Sequence, residues 1–424
     1  MRFFAAEDRR VALHMKLAEQ VEPDLLAAVI CAGDSPMSRL RYVTESGLSA
    51  PTVGRAARAL IKDGLLAEGE QFPIDRRGRP EITLKVDPKH VHLGLVVEDE
   101  AEPTGRSAGV RVVAMPVTLD GKPFEGMPPI AVPIAERKIP DLITSVVDAV
   151  RQLRQKVEER GARVEGVGLS LGGHISADNW VQYSSNIGSE QDQPSPLGSH
   201  LEEAIHLPVM LENDANALAR RHLWFTQEPS SAYAIVLLKS DGIGCGIVAD
   251  GSVFTGARGM AGEFGHLPMD PDGPTCRCEN HGCLEAIATP RAISRSLKFE
   301  GFEQVSKAVA ANDEDAARVL GEAGSCLGRA LATLINIIDP GRIFLLGVDE
   351  LTDREANSTA AVYLDAMAEA VQKHVFRSAR DRYDLEHIWA NLIVSGLPTE
   401  TETTVAAAAQ CIQEVVKSRS GSNG

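Results

Sequence analysis

The sequence predicts an α/β body preceded by a small helical domain, on three observations. From residue 89 onward, short β-rich runs such as HVHLGLVVED, VEGVGLSLGG, LPVMLEND and GRIFLLGV alternate with longer amphipathic stretches, the pattern of strands feeding helices over an open sheet. Residues 23–88 instead carry three apolar-periodic stretches separated by turn residues, then two strand-like segments. The length of 424 residues exceeds what one ordinary core accommodates, so more than one domain is expected.

Composition narrows the class. With 44% hydrophobic and 24% charged residues, the chain reads as globular and water-soluble. No apolar run reaches the roughly 18 to 20 residues of a membrane span, and MRFFAAEDRR places acids where a signal peptide is apolar. A cytoplasmic protein without a membrane partner is expected. The net charge of −16 is unevenly spread: residues 1–90 carry 14 Lys+Arg against 13 Asp+Glu, and the remainder 29 against 46. The acid sits in the body, so the front end remains open to nucleic acid. Of seven cysteines, three crowd into eight residues, whereas Cys31, Cys245, Cys326 and Cys411 stand alone in apolar surroundings and read as core.

At the front, Gly47 ends the second apolar stretch, Ser49 supplies an N-cap, and Pro51 occupies a first turn that tolerates its missing N–H. The third helix is predicted from about Pro51 to Asp63, with Val53, Ala57, Leu60 and Ile61 inward and Thr52, Arg55 and Arg58 outward. A helix, a glycine turn and a second helix with exposed arginines form the helix-turn-helix pattern, whose second helix enters the DNA major groove. Ser49, Thr52, Arg55 and Arg58 are the expected contacts, with Thr52 and Arg55 on bases. The following QFPIDRRGRPEITLKVD places a basic turn between two strands, which predicts a wing whose Arg76, Arg77 and Arg79 meet phosphate or a narrow minor groove. A small helical domain with a solvated basic turn would show any one of these features; their order favours DNA.

In the body, helices are expected near 139–160, 199–206, 213–224, 302–338, 360–376 and 400–417. KSDGIGCGIVADG sets Gly242, Gly244 and Gly246 after a strand, compatible with a tight hairpin or with backbone approach to an anion. ENDAN puts Asn213 and Asp214 at a strand end and helix start, where ligands of open α/β sheets bind. Asp214 there is either an N-cap or a ligand contact.

The segment GEFGHLPMDPDGPTCRCENHGCLE spaces His266, Cys276, Cys278 and Cys283 as H-x9-C-x-C-x4-C. One imidazole and three thiolates close a tetrahedral zinc site without a position for water, so a structural zinc is predicted rather than a Lewis acid. His281, between the cysteines, is the possible substitute. Glu263 and Glu285 flank the loop; spacing alone favours ordinary surface charge, whereas carboxylates brought together in a cleft suit sugar hydroxyls.

These residues resemble the ROK family of repressors, open reading frames and kinases from about residue 23 to near the C-terminus. AGEFGH followed by C-x-C-x4-C-x-E is the most specific part. The resemblance implies the regulator branch: a winged helix-turn-helix over 23–88 fused to an actin-like, two-lobed sugar-kinase fold (ribonuclease H-like) over 89–424, with its zinc loop at 263–285. It implies zinc on His266, Cys276, Cys278 and Cys283, and sugar contacts from Asn186, Asn213, Asp214, Glu263, His266 and Glu285. Asp214 matches the catalytic base of the kinase members. The chain departs from those members in three places. Glu98, Asp99, Glu100 and Glu102 crowd the expected first phosphate loop, where like charges disfavour phosphate. Gly347 is followed by Val348 where paired glycines are usual, and Glu279 replaces a usual glycine. No bound ATP and no catalysis are therefore expected. The expected function is a sugar-responsive repressor of carbohydrate metabolism, acting on operator DNA as a homo-oligomer, dimer or tetramer; the alternative is an ATP-dependent sugar kinase carrying a winged helix.

Overall fold

The computed structural model describes residues 20–33, 35–72, 81–101, 107–188, 194–226, 230–354, 358–376 and 385–419. Arg76, Arg77 and Arg79 of the expected wing, and Glu102, lie outside the described residues.

At the front, α1 (Val21–Ile30) buries Leu25 and Leu26, and β1 (Met37–Ser38) leads into α2 (Arg39–Ser46). Ser38 caps α2 by accepting from the Arg41 N–H, and Gly47 closes the helix in the left-handed conformation. Ser49 caps α3 (Ala50–Lys62), which carries Pro51 in its first turn. Val53, Ala56, Ala57 and Leu60 face inward; Ile61, expected inward, is only half-buried because it lies at the edge of that stripe. β2 (Leu66–Phe72) and β3 (Glu81–Val86) pair antiparallel in a sheet of order β1-β3-β2. Three helices and this small sheet make a winged helix-turn-helix.

The chain divides into two compact units: residues 1–98, 111–229 and 400–424 form the first, residues 99–110 and 230–399 the second. The winged helix shares a core with the rest of the first unit, where Leu25, Leu60 and Leu66 cluster with Met115, Leu119, Trp224, Ala408 and Ile412. The sheet of this unit comprises β4 (His90–Ala101), β5 (Ser107–Thr118), β6 (Ile130–Ile134), β7 (Arg163–Leu171) and β10 (Val209–Asn213), in the order β10-β7-β4-β5-β6. β7 lies parallel to both β4 and β10. A small hairpin, β8 (Gly173–Ile175) and β9 (Val181–Ser184), precedes α5 (Leu197–Ile205); α4 (Ile139–Glu158) leads into β7, and α6 (Asp214–Phe225) follows β10.

The C-terminal helix (Glu400–Ser418) rests directly on this sheet. Two strand residues without side chains permit it: a Cβ at Gly94 would stand 1.7 Å from the Thr404 carbonyl oxygen, and one at Gly168 1.8 Å from that of Ala407. The contact is locked by a buried ion pair. Arg220 on α6 meets Glu212 on β10 at 2.5 Å, and its other terminal nitrogen donates to Gln413 of the C-terminal helix.

The second unit has a sheet of β11 (Tyr233–Leu238), β12 (Ile243–Ala249), β13 (Ser252–Val253), β14 (Arg342–Gly347) and β15 (Leu392–Gly396), ordered β13-β12-β11-β14-β15. Its helices are α7 (Glu285–Ala288), α8 (Pro290–Ser296), α9 (Phe302–Ala310), α10 (Glu314–Ile338), α11 (Asp349–Thr352), α12 (Ser358–His374) and α13 (Leu385–Asn391). The stretch 302–338 is therefore two helices, not one. Asn312 takes a positive φ of 60°, and Asp313 then caps α10 by accepting from the Ala316 N–H at 2.9 Å. Cys245, Cys326 and Cys411 are buried, and burial pushes their thiols up to about 12, 11 and 12; they are inert core residues.

Candidate metal centre and ligand site

In the second unit, a 3-10 turn over Phe264–His266 presents His266, and a loop folded on itself presents the cysteines. Met269 N–H donates to the Gly282 carbonyl, Gly282 N–H to that of Pro274, and Cys276 N–H to that of Asn280, each at 2.8 Å. One ligand atom from each of His266, Cys276, Cys278 and Cys283 lies within 4.8 Å of the other three. His266 Nδ1 stands 3.6 Å from Cys276 Sγ, and the sulfurs of Cys278 and Cys283 are 3.6 Å apart. A tetrahedron with metal–sulfur bonds of about 2.3 Å has edges of about 3.8 Å, and these two separations match such edges. Burial pushes the Cys276 thiol up, and the neighbouring Glu285 carboxylate adds to the rise. The donor set of one imidazole and three sulfurs fits a cation, which would hold the cysteines as thiolates.

Glu279 follows Cys278 with φ of 68°, a left-handed conformation in which a side chain is strained. Replacing Glu279 with glycine is expected to stabilise the second unit by about 1 kcal/mol. The melting midpoint should rise by about 2–4 °C; an unchanged or lower midpoint would show that no strain is relieved.

Two carboxylates border the cluster. Glu285, the first residue of α7, is 7% exposed, and its Oε1 lies 3.2 Å from Cys276 Sγ and 3.9 Å from His266 Nδ1. Glu263 Oε2 lies 3.9 Å from His266 Nε2. The two ring nitrogens of His266 thus face different partners, Nδ1 the cysteines and Nε2 Glu263. With Nδ1 on a metal, Nε2 carries the proton and can donate, which lets one residue serve both roles expected of it.

In the first unit, Asn186, Asn213 and Asp214 gather at the carboxyl ends of the parallel neighbours β7 and β10, the edge where open sheets bind ligands. Asn186 is buried, and its Oδ1 accepts from the Gly172 N–H at 2.9 Å. Asn213 is the cap of α6: its Oδ1 accepts from Ala215 and Asn216, and its Nδ2 donates to the Gly173 carbonyl at 2.9 Å. The capping role weighed for Asp214 therefore belongs to Asn213. Asp214 begins the helix, with Oδ1 accepting from the Ala215 N–H at 2.8 Å. Gly172 lets this group converge, since a Cβ there would stand 2.8 Å from Asn186 Oδ1 and 3.6 Å from Asp214 Oδ2. Sequence reasoning missed Gly172; its position in the glycine doublet that follows β7 was the available signal.

The glycine-rich segment resolves as a hairpin. Lys239 N–H donates to the Gly242 carbonyl at 2.9 Å, and Gly244 and Gly246 pair within β12 against Leu237 and Ile235. Asp241 in its turn faces Arg277 at 3.5 Å and Arg291 at 3.4 Å, two arginines that pattern reading also missed. Glu98 is a paired carboxylate, bound to Arg111 at 2.6 Å, and Arg111 also binds Glu400 at 2.6 Å. One guanidinium shared by two carboxylates offsets only part of their charge. On α3, Ser49 and Thr52 bond each other through their hydroxyls at 2.8 Å. Arg55 and Arg58 are exposed, with no ion-pair partner among the described residues.

The ROK family model matches residues 134–391. The DNA-binding transcriptional dual regulator NagC of Escherichia coli is 25% identical over 374 residues, covering 83% of this chain and 86% of NagC. A glucokinase of Halalkalibacterium halodurans is 30% identical over 228 residues, 49% of this chain and 68% of the glucokinase. Among solved structures, a ROK family transcriptional regulator described as a homologue of the E. coli MLC protein aligns at a TM-score of 0.72 with 21% identity, covering 95% of this chain and 98% of that one. Among the described residues, no helix is long and apolar enough to cross a membrane.

Proposed function

This chain belongs to the ROK family, and from that premise we propose that it is a sugar-responsive, DNA-binding transcriptional regulator of carbohydrate metabolism, of the repressor type. The observation that carries the reading is the union in one chain of a helix-turn-helix with exposed Arg55 and Arg58 and a candidate metal loop bordered by Glu263, His266 and Glu285. The regulator NagC matches over 83% of the chain, the glucokinase over 49%.

In this reading zinc fills the His266, Cys276, Cys278 and Cys283 cluster and supplies structure, since four protein ligands leave no position for water. The zinc orders Glu263 and Glu285, which accept from sugar hydroxyls, while His266 Nε2 donates. Asn186, Asn213 and Asp214 form the other polar group, with Asp214 an acceptor rather than a working base. Ser49, Thr52, Arg55 and Arg58 meet operator DNA; Arg76, Arg77 and Arg79 join them on charge and sequence position alone. Sugar acts by binding two states of a homo-oligomer unequally, the requirement for any ligand-driven shift. The cytoplasm is the compartment this function requires.

Selection from a random-sequence DNA library tests the reading. The parent protein should enrich one motif, and Arg55→Ala should lose about 10- to 100-fold of its preference for that motif while still binding DNA at low salt. If the parent enriches nothing, the regulator reading fails. The kinase alternative keeps one supporting observation, the presence of Asp214 beside Gly172 at the sheet edge; steady ADP release with ATP, magnesium and D-glucose, N-acetyl-D-glucosamine or D-xylose would favour it.

A further inference from the structure

Arg277 stands between two of the metal-binding cysteines, and its guanidinium reaches away from their loop. One terminal nitrogen, Nη2, donates to the Asp241 backbone carbonyl at 2.8 Å and lies 3.8 Å from Glu285 Oε2; the other, Nη1, stands 3.5 Å from Asp241 Oδ2. One side chain therefore touches three elements: the metal loop, the β11–β12 turn and α7.

Charge explains why such a contact is needed. Three thiolates and one imidazole around a divalent ion carry a net charge of −1, and Glu285, 7% exposed, lies 3.2 Å from one of those sulfurs. Like charges so close repel strongly where water is scarce. Arg277 faces Glu285, while Arg291 shares Asp241 with it. Beside the pair lies a cavity of about 140 Å³, lined by Asp241, Thr275, Arg277, Glu285, Thr289 and Arg291 among others. It is roomy enough for water, so without the guanidinium the carboxylate has somewhere else to turn.

Resting on the sugar-binding reading above, we propose that Arg277 is a positioning residue for the ligand site: it offsets the charge of Glu285, aims that carboxylate, and clasps the metal loop to the β11–β12 turn. A planar fork suits the task because it spans two acceptors at fixed geometry.

The test compares full-length parent, Arg277→Ala and Arg277→Lys in three measurements: zinc per chain, calorimetry with D-glucose, N-acetyl-D-glucosamine and D-xylose, and the rate of zinc transfer to a chromophoric chelator. Arg277→Ala should keep one zinc per chain, bind the preferred sugar about tenfold more weakly, and release zinc severalfold faster, the size of effect seen when an outer partner of a metal site is lost. Arg277→Lys should recover only part of the affinity, since the charge returns without the fork. Parent-like sugar affinity in Arg277→Ala overturns the proposal, as does a lysine variant no better than alanine. If the parent binds none of the three sugars, the sugar reading is what fails for them, and the chelator rates judge the clasp alone: faster release in Arg277→Ala supports it, and an unchanged rate overturns it.

Discussion

Replacing Cys283 with serine is expected to abolish both metal binding and sugar binding while DNA binding persists. Cys283 is fully buried and packs with Cys276 and Ala286, so a serine there offers a poorer ligand in a site that water cannot repair. Losing an outer partner of a metal site already costs about 10- to 100-fold in affinity, and losing a direct ligand should exceed that. Glu263, His266 and Glu285 would then lose the scaffold that holds them, and sugar affinity should fall by more than about 100-fold. The helix-turn-helix is built from α2 and α3, whose core lies in the first unit, whereas the metal loop belongs to the second. Metal content, calorimetry and DNA anisotropy on the same preparation check this. Equal loss of sugar and DNA binding would show that the zinc supports the whole chain rather than the ligand site.

Removing one partner of the buried ion pair should have the largest effect on stability. Glu212 and Arg220 have side chains only 6% and 9% exposed, and the arginine also holds Gln413 of the C-terminal helix. Glu212→Ala leaves a buried guanidinium without its counter-charge, a change that costs about 3–5 kcal/mol. Replacing both members together, Glu212→Leu with Arg220→Met, should cost far less, because no charge is left unpaired. Denaturant midpoints of the single and double variants decide between these outcomes. A single variant within about 1 kcal/mol of the parent would show that the pair is solvated and screened in solution. Glu212 immediately precedes Asn213 and Asp214, so the same single change should also weaken sugar binding.

The parts of the fold legible in the sequence are those governed by local chemistry. Ser49 as cap, Pro51 in the first turn and Gly47 in the left-handed conformation are each decided within a few residues. The split of 302–338 was legible in principle, because Asn312 and Asp313 are turn and cap residues, but unbroken apolar periodicity on both sides concealed it.

The helix-turn-helix, the alternation of strands and helices, and the four residues that gather in the candidate metal loop could all be read along the chain, because caps, hydrophobic period and ligand spacing act over short stretches. Only the tertiary structure decided which partners meet. Asn186 accepts from the Gly172 N–H, Arg277 reaches Asp241 and Glu285 from inside the metal loop, and Arg220 joins Glu212 to Gln413. These pairings join residues far apart in the chain, and their strength depends on burial and charge balance that come into being only when distant segments pack.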